Sequence, residues 1–184
     1  MAAATVHRYL IALGSNQRHA RFGSPRRVLA AALERLEAEG VRLIAAARPI
    51  ETAPVGPSIR RYANSAAVIE TGLEPEALLA LLKRVEHEFG RRALGQRWRA
   101  RVLDLDVVLW SGGPYASPAL TIPHPLFRKR AFVLGPALAI APAWRDPLSG
   151  ATVRQLHARL TAPRAQPKRA AGRALSSVGR ATDF

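Results

Sequence analysis

The chain has 184 residues, of which 48% are hydrophobic, and this suits one folded domain with a real core. Its 28 Lys and Arg residues against 13 Asp and Glu give a formal charge of +15, which favours anionic partners such as nucleic acid, a membrane surface or nucleotide phosphates. The absence of cysteine excludes disulfides and thiolate metal sites, and because no apolar run could span a membrane and no signal-peptide core is present, we expect a soluble cytoplasmic protein.

The first part of the chain predicts strands alternating with a helix. Residues 6–13 alternate well enough for a strand and end at a Gly-Ser-Asn turn signal. Residues 24–40 predict a helix, which begins with Ser-Pro, has an apolar stripe and ends at a glycine. Residues 41–47 predict a second strand. Residues 50–57 contain two prolines and a glycine, and we expect them to form a shaped loop without regular structure.

The middle of the chain completes a recognisable order of elements. Residues 62–71 predict a third strand, antiparallel to the second, and residues 74–90 predict a helix with an acidic first turn. An arginine-rich loop then leads into a strand over residues 101–110. The order βαββαβ predicts an α+β, ferredoxin-like fold with one antiparallel sheet and helices on one face.

The C-terminal part predicts an extension and a tail. Residues 120–160 contain an apolar stretch at 131–141 and a short helix at 153–160. Beyond Thr161 the composition is rich in Ala, Arg, Pro, Ser and Gly without periodicity, which predicts disorder. We therefore expect a domain of residues 1–160 and a basic, disordered tail of residues 161–184.

Two acids in the strand at 101–110 are the strongest functional candidates. Because strand side chains alternate, Asp104 and Asp106 share one face, with Cα atoms roughly 6 to 7 Å apart, and can hold hard cations against a phosphate. The apolar residues expected on the opposite face are Leu103, Leu105, Val107 and Leu109. An isolated Asp-x-Asp is often only solvated or paired with arginine, but an unpaired charge is costly in so apolar a strand. With phosphate-binding arginines just upstream, the pattern predicts phosphoryl transfer.

Short motifs along the chain resemble those of one family. They are Gly14-Ser15-Asn16, Glu51-Thr52-x-Pro54-x-Gly56-Pro57, Tyr62-x-Asn64, Gly90-Arg91, Arg97-Trp98, Arg101-x-Leu103-Asp104-Leu105-Asp106, Pro123-His124-Pro125 and Arg130-Ala131-Phe132-Val133-Leu134. In order and spacing they resemble 6-hydroxymethyl-7,8-dihydropterin pyrophosphokinase of folate biosynthesis, over about residues 6–160. The resemblance implies a ferredoxin-like, ATP-dependent diphosphotransferase that moves pyrophosphate to the hydroxymethyl group of a reduced pterin and releases AMP.

The resemblance also implies roles for individual residues. Asp104 and Asp106 would hold two Mg²⁺ that bridge the ATP phosphates, and Arg91 and Arg101 would be catalytic by stabilising charge. The implied pterin-binding residues are Thr52, Val55, Tyr62, Asn64, Trp98 and Phe132. The implied ATP-binding residues are Glu86, Arg91, Arg97, Trp98, Arg101, Val107, Thr121, His124 and Arg130. The expected partners are ATP and a reduced pterin, without a membrane or nucleic acid, and we expect a monomer.

Several of these residues have a structural alternative. Trp98 and Phe132 could be core aromatics, Asn64 could be a turn or edge residue, Glu86 could be an exposed helix acid, and His124 could be structural. Glu51-Thr52 could simply finish a strand. In the arginine-rich loop, Ala93, Leu94, Arg99 and Ala100 stand where the family usually has other residues. These departures leave open a diverged paralogue with a changed acceptor or lost activity.

Two other functional classes fit less well. A basic ferredoxin-like sheet could bind RNA, but that mode needs several aromatics on a strand, and aromatics make up only 6% of the chain. Residues 90–95 have the glycine spacing of a P-loop, but the Lys-Ser/Thr that must follow is missing. The pyrophosphokinase is therefore the predicted function.

Overall fold

The computed structural model describes residues 5–53, 60–90 and 102–163. Its elements are β1 (His7–Ser15), α1 (Pro25–Ala38), β2 (Arg42–Ala46), β3 (Ile50–Thr52), β4 (Tyr62–Thr71), α2 (Pro75–Glu88), β5 (Asp104–Trp110), β6 (Tyr115–Ala116), β7 (Thr121–Ile122), a 3-10 helix (Phe127–Lys129), α3 (Ala131–Ile140) and α4 (Val153–Thr161). The longest described helices have 14 residues, so none of those described could span a membrane.

The described strands form an antiparallel sheet in the order β2-β4-β1-β5, and β3 pairs with β4 beside β2. This arrangement confirms the predicted α+β, ferredoxin-like class. One local expectation is corrected: Ile50–Thr52, expected within a loop, forms β3, which agrees with the alternative that Glu51-Thr52 belongs to a strand. These three residues precede the two prolines and pair with Tyr62, Ala63 and Asn64, so nothing prevents them from forming strand hydrogen bonds. Residues 54–59 lie outside the described part.

The helices α1 and α2 cover one face of the sheet, as predicted. Leu29 and Leu36 of α1 and Leu78 and Leu82 of α2 are buried in one core with alternate residues of the central strands. The strand residues that enter this first core include Tyr9, Ile11, Leu13, Leu105 and Val107. Its position leaves the other face of the sheet free for a second layer.

The helices α3 and α4 form that second layer, which the prediction of helices on one face did not include. Leu134 of α3 and Val153 of α4 pack against Leu10 and Val68 of the sheet in a second core. Residues 131–140 are apolar almost throughout, so they are best buried against the face that α1 and α2 leave bare. The open sheet surface on which RNA-binding ferredoxin-like domains stack bases is therefore covered over much of its area.

A β-bulge in β5 changes which core its side chains enter. Leu10 lies opposite Leu109 and Ile11 lies opposite Val107, so Val108 is an extra residue on β5. Val107 enters the first core, whereas Leu109 enters the second. The prediction that Leu109 shares a face with Val107 is wrong for this reason, since an alternating sequence pattern does not reveal an inserted residue.

Candidate active site

A cavity of about 550 Å³ lies between the sheet and the layer that contains α3. Its floor is formed by β1, β3, β4 and β5, and its opposite wall by the 3-10 helix and the start of α3. The lining residues are Ala12, Leu13, Gly14, Thr52, Ala53, Tyr62, Asn64, Asp104, Asp106, Leu126, Lys129, Arg130, Phe132 and Val133. A cavity of this size, with a few polar groups among apolar ones, suits a small molecule.

Sheet register places the polar groups of the floor in order. Asn64 on β4 pairs with Gly14 on β1, and Gly14 pairs with Asp104 on β5. Two strand spacings of this kind put the backbones of Asn64 and Asp104 about 9 to 10 Å apart. A Cβ atom added to Gly14 would lie 3.3 Å from Asn64 Oδ1 and 3.9 Å from Asp104 Cβ. Glycine therefore keeps the floor open between the amide and the carboxylates.

The side of the cavity beside β3 and β4 has the groups expected for a flat heterocycle. Asn64 is buried, and its Nδ2 donates a hydrogen bond of 2.8 Å to Thr52 Oγ1. That bond fixes the amide plane, so the side chain can present one donor and one acceptor edge. Tyr62 and Phe132 are half-buried rings that line the same cavity. Phe132 also packs against the second core, as its structural alternative expects, whereas Asn64 lies on β4 between β1 and β3 rather than in a turn or at a sheet edge.

The side beside β5 carries the two carboxylates. Asp104 and Asp106 are both partly exposed to the cavity, and Arg130 Nη1 lies 3.9 Å from Asp106 Oδ2. Within the described ranges, no group of three or more His, Asp or Glu side chains could hold a metal ion. One or two carboxylates, completed by substrate phosphates and water, are the set that Mg²⁺ commonly uses in such sites. The pair therefore fits Mg²⁺ carried in with a phosphorylated substrate.

His124 is held just beyond this carboxylate pair. Its backbone N–H donates to Val108 O at 3.0 Å, and its ring Nδ1 accepts the Leu126 N–H at 3.1 Å. Burial lowers the pKa of His124; the negative charge of Asp106 opposes this shift, the positive charge of Arg130 adds to it, and the net direction is downward. The ring is therefore neutral at pH 7, and with Nδ1 as acceptor its proton lies on Nε2.

Comparison with known proteins identifies the family. The family model described as 7,8-dihydro-6-hydroxymethylpterin-pyrophosphokinase (HPPK) matches residues 10–142. The chain belongs to this family. The prediction from the motifs is confirmed, and with it the enzyme class, a pyrophosphoryl transferase that uses ATP in folate biosynthesis.

Individual HPPK relatives agree. A protein of Methylorubrum extorquens named 2-amino-4-hydroxy-6-hydroxymethyldihydropteridine pyrophosphokinase is 36% identical over 155 residues, which is 83% of this chain and 93% of the relative. A Synechocystis protein of the same name is 42% identical over 101 residues, 55% of this chain and about half (51%) of its own length. The crystal structure of Plasmodium falciparum HPPK-DHPS with pteroate has a TM-score of 0.64 at 13% identity, and the match covers 86% of this chain and 43% of that one. At that identity it supports the fold alone.

Some residues that the HPPK resemblance placed near ATP do not line the cavity. Val107 is buried in the first core, and Thr121 lies on β7, outside the cavity lining. Glu86 is fully buried rather than exposed, and its Oε1 accepts the Leu105 N–H at 2.7 Å. Lys83 Nζ lies 3.1 Å from the same oxygen. The described contacts of Glu86 therefore support the strand that carries the two aspartates.

Other predicted HPPK site residues lie outside the described part of the chain. They are Val55, Arg91, Arg97, Trp98 and Arg101. The departures Ala93, Leu94, Arg99 and Ala100 lie there too. Their predicted roles in pterin binding, ATP binding and catalysis stay predictions.

The cavity also contains residues that the sequence did not single out, among them Ala12, Ala53, Leu126 and Lys129. Ala12 pairs with Asp106. The register of β1 against β5, including the bulge, would therefore have been needed to predict that Ala12 lines the cavity. Lys129 directly precedes Arg130, which the family motif includes. The position of Lys129 beside this motif residue was therefore the sequence signal that could have placed it at the cavity.

Proposed function

We propose that this chain transfers the pyrophosphoryl group of ATP to the hydroxymethyl group of 6-hydroxymethyl-7,8-dihydropterin in the cavity described above. The observation that carries the proposal is the row Asn64, Gly14 and Asp104 on the cavity floor. It places an amide suited to a pterin and carboxylates suited to metal-bound phosphates in one cavity, separated only by a glycine. An acceptor hydroxyl and a phosphate can meet above that glycine, and such positioning supplies much of the catalysis of group transfer.

Asp104 and Asp106 are the proposed ligands of two Mg²⁺. When bound, the metal ions would neutralise charge on the ATP phosphates and so make the β-phosphorus more open to attack. The aspartates fit this role because they face the cavity beside Arg130 and are followed by apolar strand residues that fix their backbone. Arg130, whose Nη1 lies 3.9 Å from Asp106 Oδ2, would offset part of this negative charge before substrate binds.

Thr52, Tyr62, Asn64 and Phe132 are the proposed pterin-binding residues. The two rings would stack on the heterocycle, and the Asn64 amide would pair with a donor and an acceptor at its edge. Because the Asn64–Thr52 hydrogen bond already orients the amide, little side-chain freedom is lost on binding. Val55 and Trp98 stay predicted members of this pocket.

In the proposed reaction the pterin hydroxyl oxygen attacks the β-phosphorus of ATP. The bond from that phosphorus to the oxygen shared with the α-phosphate breaks, AMP leaves with the electron pair, and the hydroxyl proton passes to solvent or to AMP. Arg130 would hold the transferred phosphates. Because His124 is neutral and its Nδ1 is an acceptor, it could donate a hydrogen bond to a phosphate oxygen only through Nε2. Arg91, Arg97 and Arg101 are proposed to stabilise the remaining charge, with no covalent intermediate.

Release of AMP from ATP and Mg²⁺, with and without the pterin, tests this function. We expect pterin-dependent AMP that falls by at least about 100-fold in Asp106→Ala, because a metal ligand is lost. Glu37→Gln, which removes an exposed acid on α1, is the matched control and should retain activity. Circular dichroism should show both variants folded.

Three outcomes would count against the proposal. Folded wild-type protein that releases no AMP with this pterin would favour the diverged paralogue, and binding of other pterins would then be measured. AMP release that survives in Asp106→Ala would remove the aspartates from the metal site. RNA affinity independent of both aspartates would revive the nucleic-acid alternative.

A further inference from the structure

We propose that Lys129 is a further substrate-binding residue, which contacts the phosphates that pass from ATP to the pterin; this rests on the proposed function. Lys129 ends the 3-10 helix and lines the cavity next to Arg130. It is the middle one of three consecutive cations. Arg128 pairs with Asp146 and Arg130 lies near Asp106, whereas no described carboxylate pairs with Lys129. Its exposed ammonium group is therefore available to a ligand in the cavity.

The chemistry of the substrates decides what such a cation can recognise. The pterin acceptor has no phosphate or carboxylate, whereas ATP is a polyanion. When the bond between the α- and β-phosphates breaks, the β- and γ-phosphates leave together on the pterin and AMP retains only the α-phosphate. Lys129 lines the same cavity as its neighbour Arg130, whose Nη1 lies 3.9 Å from Asp106 Oδ2 on the side proposed for the metal-bound phosphates. A contact to the β- or γ-phosphate would therefore persist in the diphosphorylated product and be absent with AMP.

The 3-10 helix that ends at Lys129 is held in place by contacts of its other residues. Arg128 Nε and Nη2 donate to Asp146 Oδ2 and Oδ1 at 2.7 and 2.6 Å, and Asp146 is fully buried. The Arg128 guanidinium also lies 4.8 Å from the centroid of the buried Phe127 ring. The Lys129 N–H donates to Leu126 O at 3.0 Å. The backbone of Lys129 is thus held in place, and only its side chain must order to reach a phosphate.

Steady-state kinetics and direct binding test the proposal with Lys129→Ala, Lys129→Arg and the control Arg154→Ala. Arg154 is an exposed cation at the start of α4 that does not line the cavity. The binding probe is an ATP analogue with a methylene group between its α- and β-phosphates, used in the presence of Mg²⁺. The Kd values of the diphosphorylated pterin and of AMP are measured in separate titrations. For Lys129→Ala we expect KM for ATP and Kd for the methylene analogue and the product to rise about tenfold, the loss of one charge-assisted contact.

The same variant should bind AMP and the unphosphorylated pterin as the wild type does, and Lys129→Arg should restore most of the affinity. Unchanged affinity for both the methylene analogue and the product in Lys129→Ala would overturn the proposal. So would an equal loss in Arg154→Ala, since that would indicate net charge rather than contact. A wild-type protein without transferase activity would contradict the proposed function instead, while binding of the methylene analogue would still decide the role of Lys129.

Discussion

At the scale of single residues, the cavity depends on small side chains as much as on charged ones. Asp104 and Asp106 can face the same cavity as Asn64 because Gly14 and Ala12 lie between the strands that carry them. The close approach of Gly14 to Asn64 leaves no room for an added methyl group without a shift of a few tenths of an ångström. The size of residue 14 therefore controls how the Asn64 amide is oriented.

Gly14→Ala tests this dependence. The new methyl group would press on Asn64 Oδ1 and disturb its bond to Thr52, so we expect KM for the pterin to rise about tenfold, the loss of one good hydrogen bond. Affinity for ATP should stay within twofold. Gly72→Ala, whose Cβ would meet only Thr5 O at 3.8 Å, is the matched control. Equal pterin KM values in wild type and Gly14→Ala would show that residue 14 does not orient the amide.

At the scale of elements, the wall of the cavity depends on one buried ion pair. Asp146, in the loop before α4, fixes the 3-10 helix through Arg128. Burial raises the pKa of Asp146, but hydrogen bonds from Arg128, Ser149 and the Leu148 N–H lower it by more, so the net pKa lies below its ordinary value. The folded protein therefore holds this carboxyl group ionised more strongly than the unfolded chain does.

The variant Asp146→Asn tests whether the ionised Asp146 stabilises the folded protein, through the pH dependence of the free energy of unfolding. Breaking a buried pair should lower the free energy of unfolding by about 3 kcal/mol at pH 7. Because the folded pKa is lowered, the carboxylate contributes fully above its unfolded pKa of about 3.9, and the contribution is lost as pH falls through the folded value. Urea unfolding at pH 7, 5, 4 and 3 measures the difference in free energy of unfolding between wild type and variant. This difference should become smaller only below about pH 4. A difference that is the same at pH 3 as at pH 7 would exclude this linkage.

The sequence predicts some of these elements well and others poorly, for physical reasons. The strand at β4 and both helices of the first layer follow from periodicity and from glycine and proline at their ends. β3 was left as an alternative to a loop because its three residues are too few for a pattern and depend on pairing with β4. The place of α3 was missed because an apolar run does not specify which face it covers. Asp104 and Asp106 were found because alternation before the bulge is regular.

At the scale of the whole molecule, the chain carries a formal charge of +15, and its basic residues continue into the segment after Thr161. We propose that residues 1–160 are the catalytic domain and that residues 161–184 are a tail. The helix α4 continues to Thr161, one residue past the predicted boundary, and residues 164–184 lie outside the described part. Val153 and Leu156 are the last residues of the described part that are buried in the second core.

A chain that ends after residue 163 tests this division. We expect its free energy of unfolding, its kcat and its sedimentation as a monomer to match the full chain, because no buried residue of either core lies beyond Leu156 in the described part. The full chain in the same buffer is the control. Aggregation or loss of activity on truncation would show that the tail belongs to the domain.

The second core also sets the depth of the cavity along the sheet. On β1 the cavity is lined by Ala12 and Gly14, and Leu10, two residues before Ala12, is buried in the second core. On β5 it is lined by Asp104 and Asp106, and Val108, the next residue on that face, is buried in the same core. The open space therefore ends within one side-chain repeat of Asp106, roughly 6.6 Å along the strand. A smaller side chain at residue 10 or 108 would deepen this space, and the enzyme would lose apolar packing between the sheet and α3 in exchange.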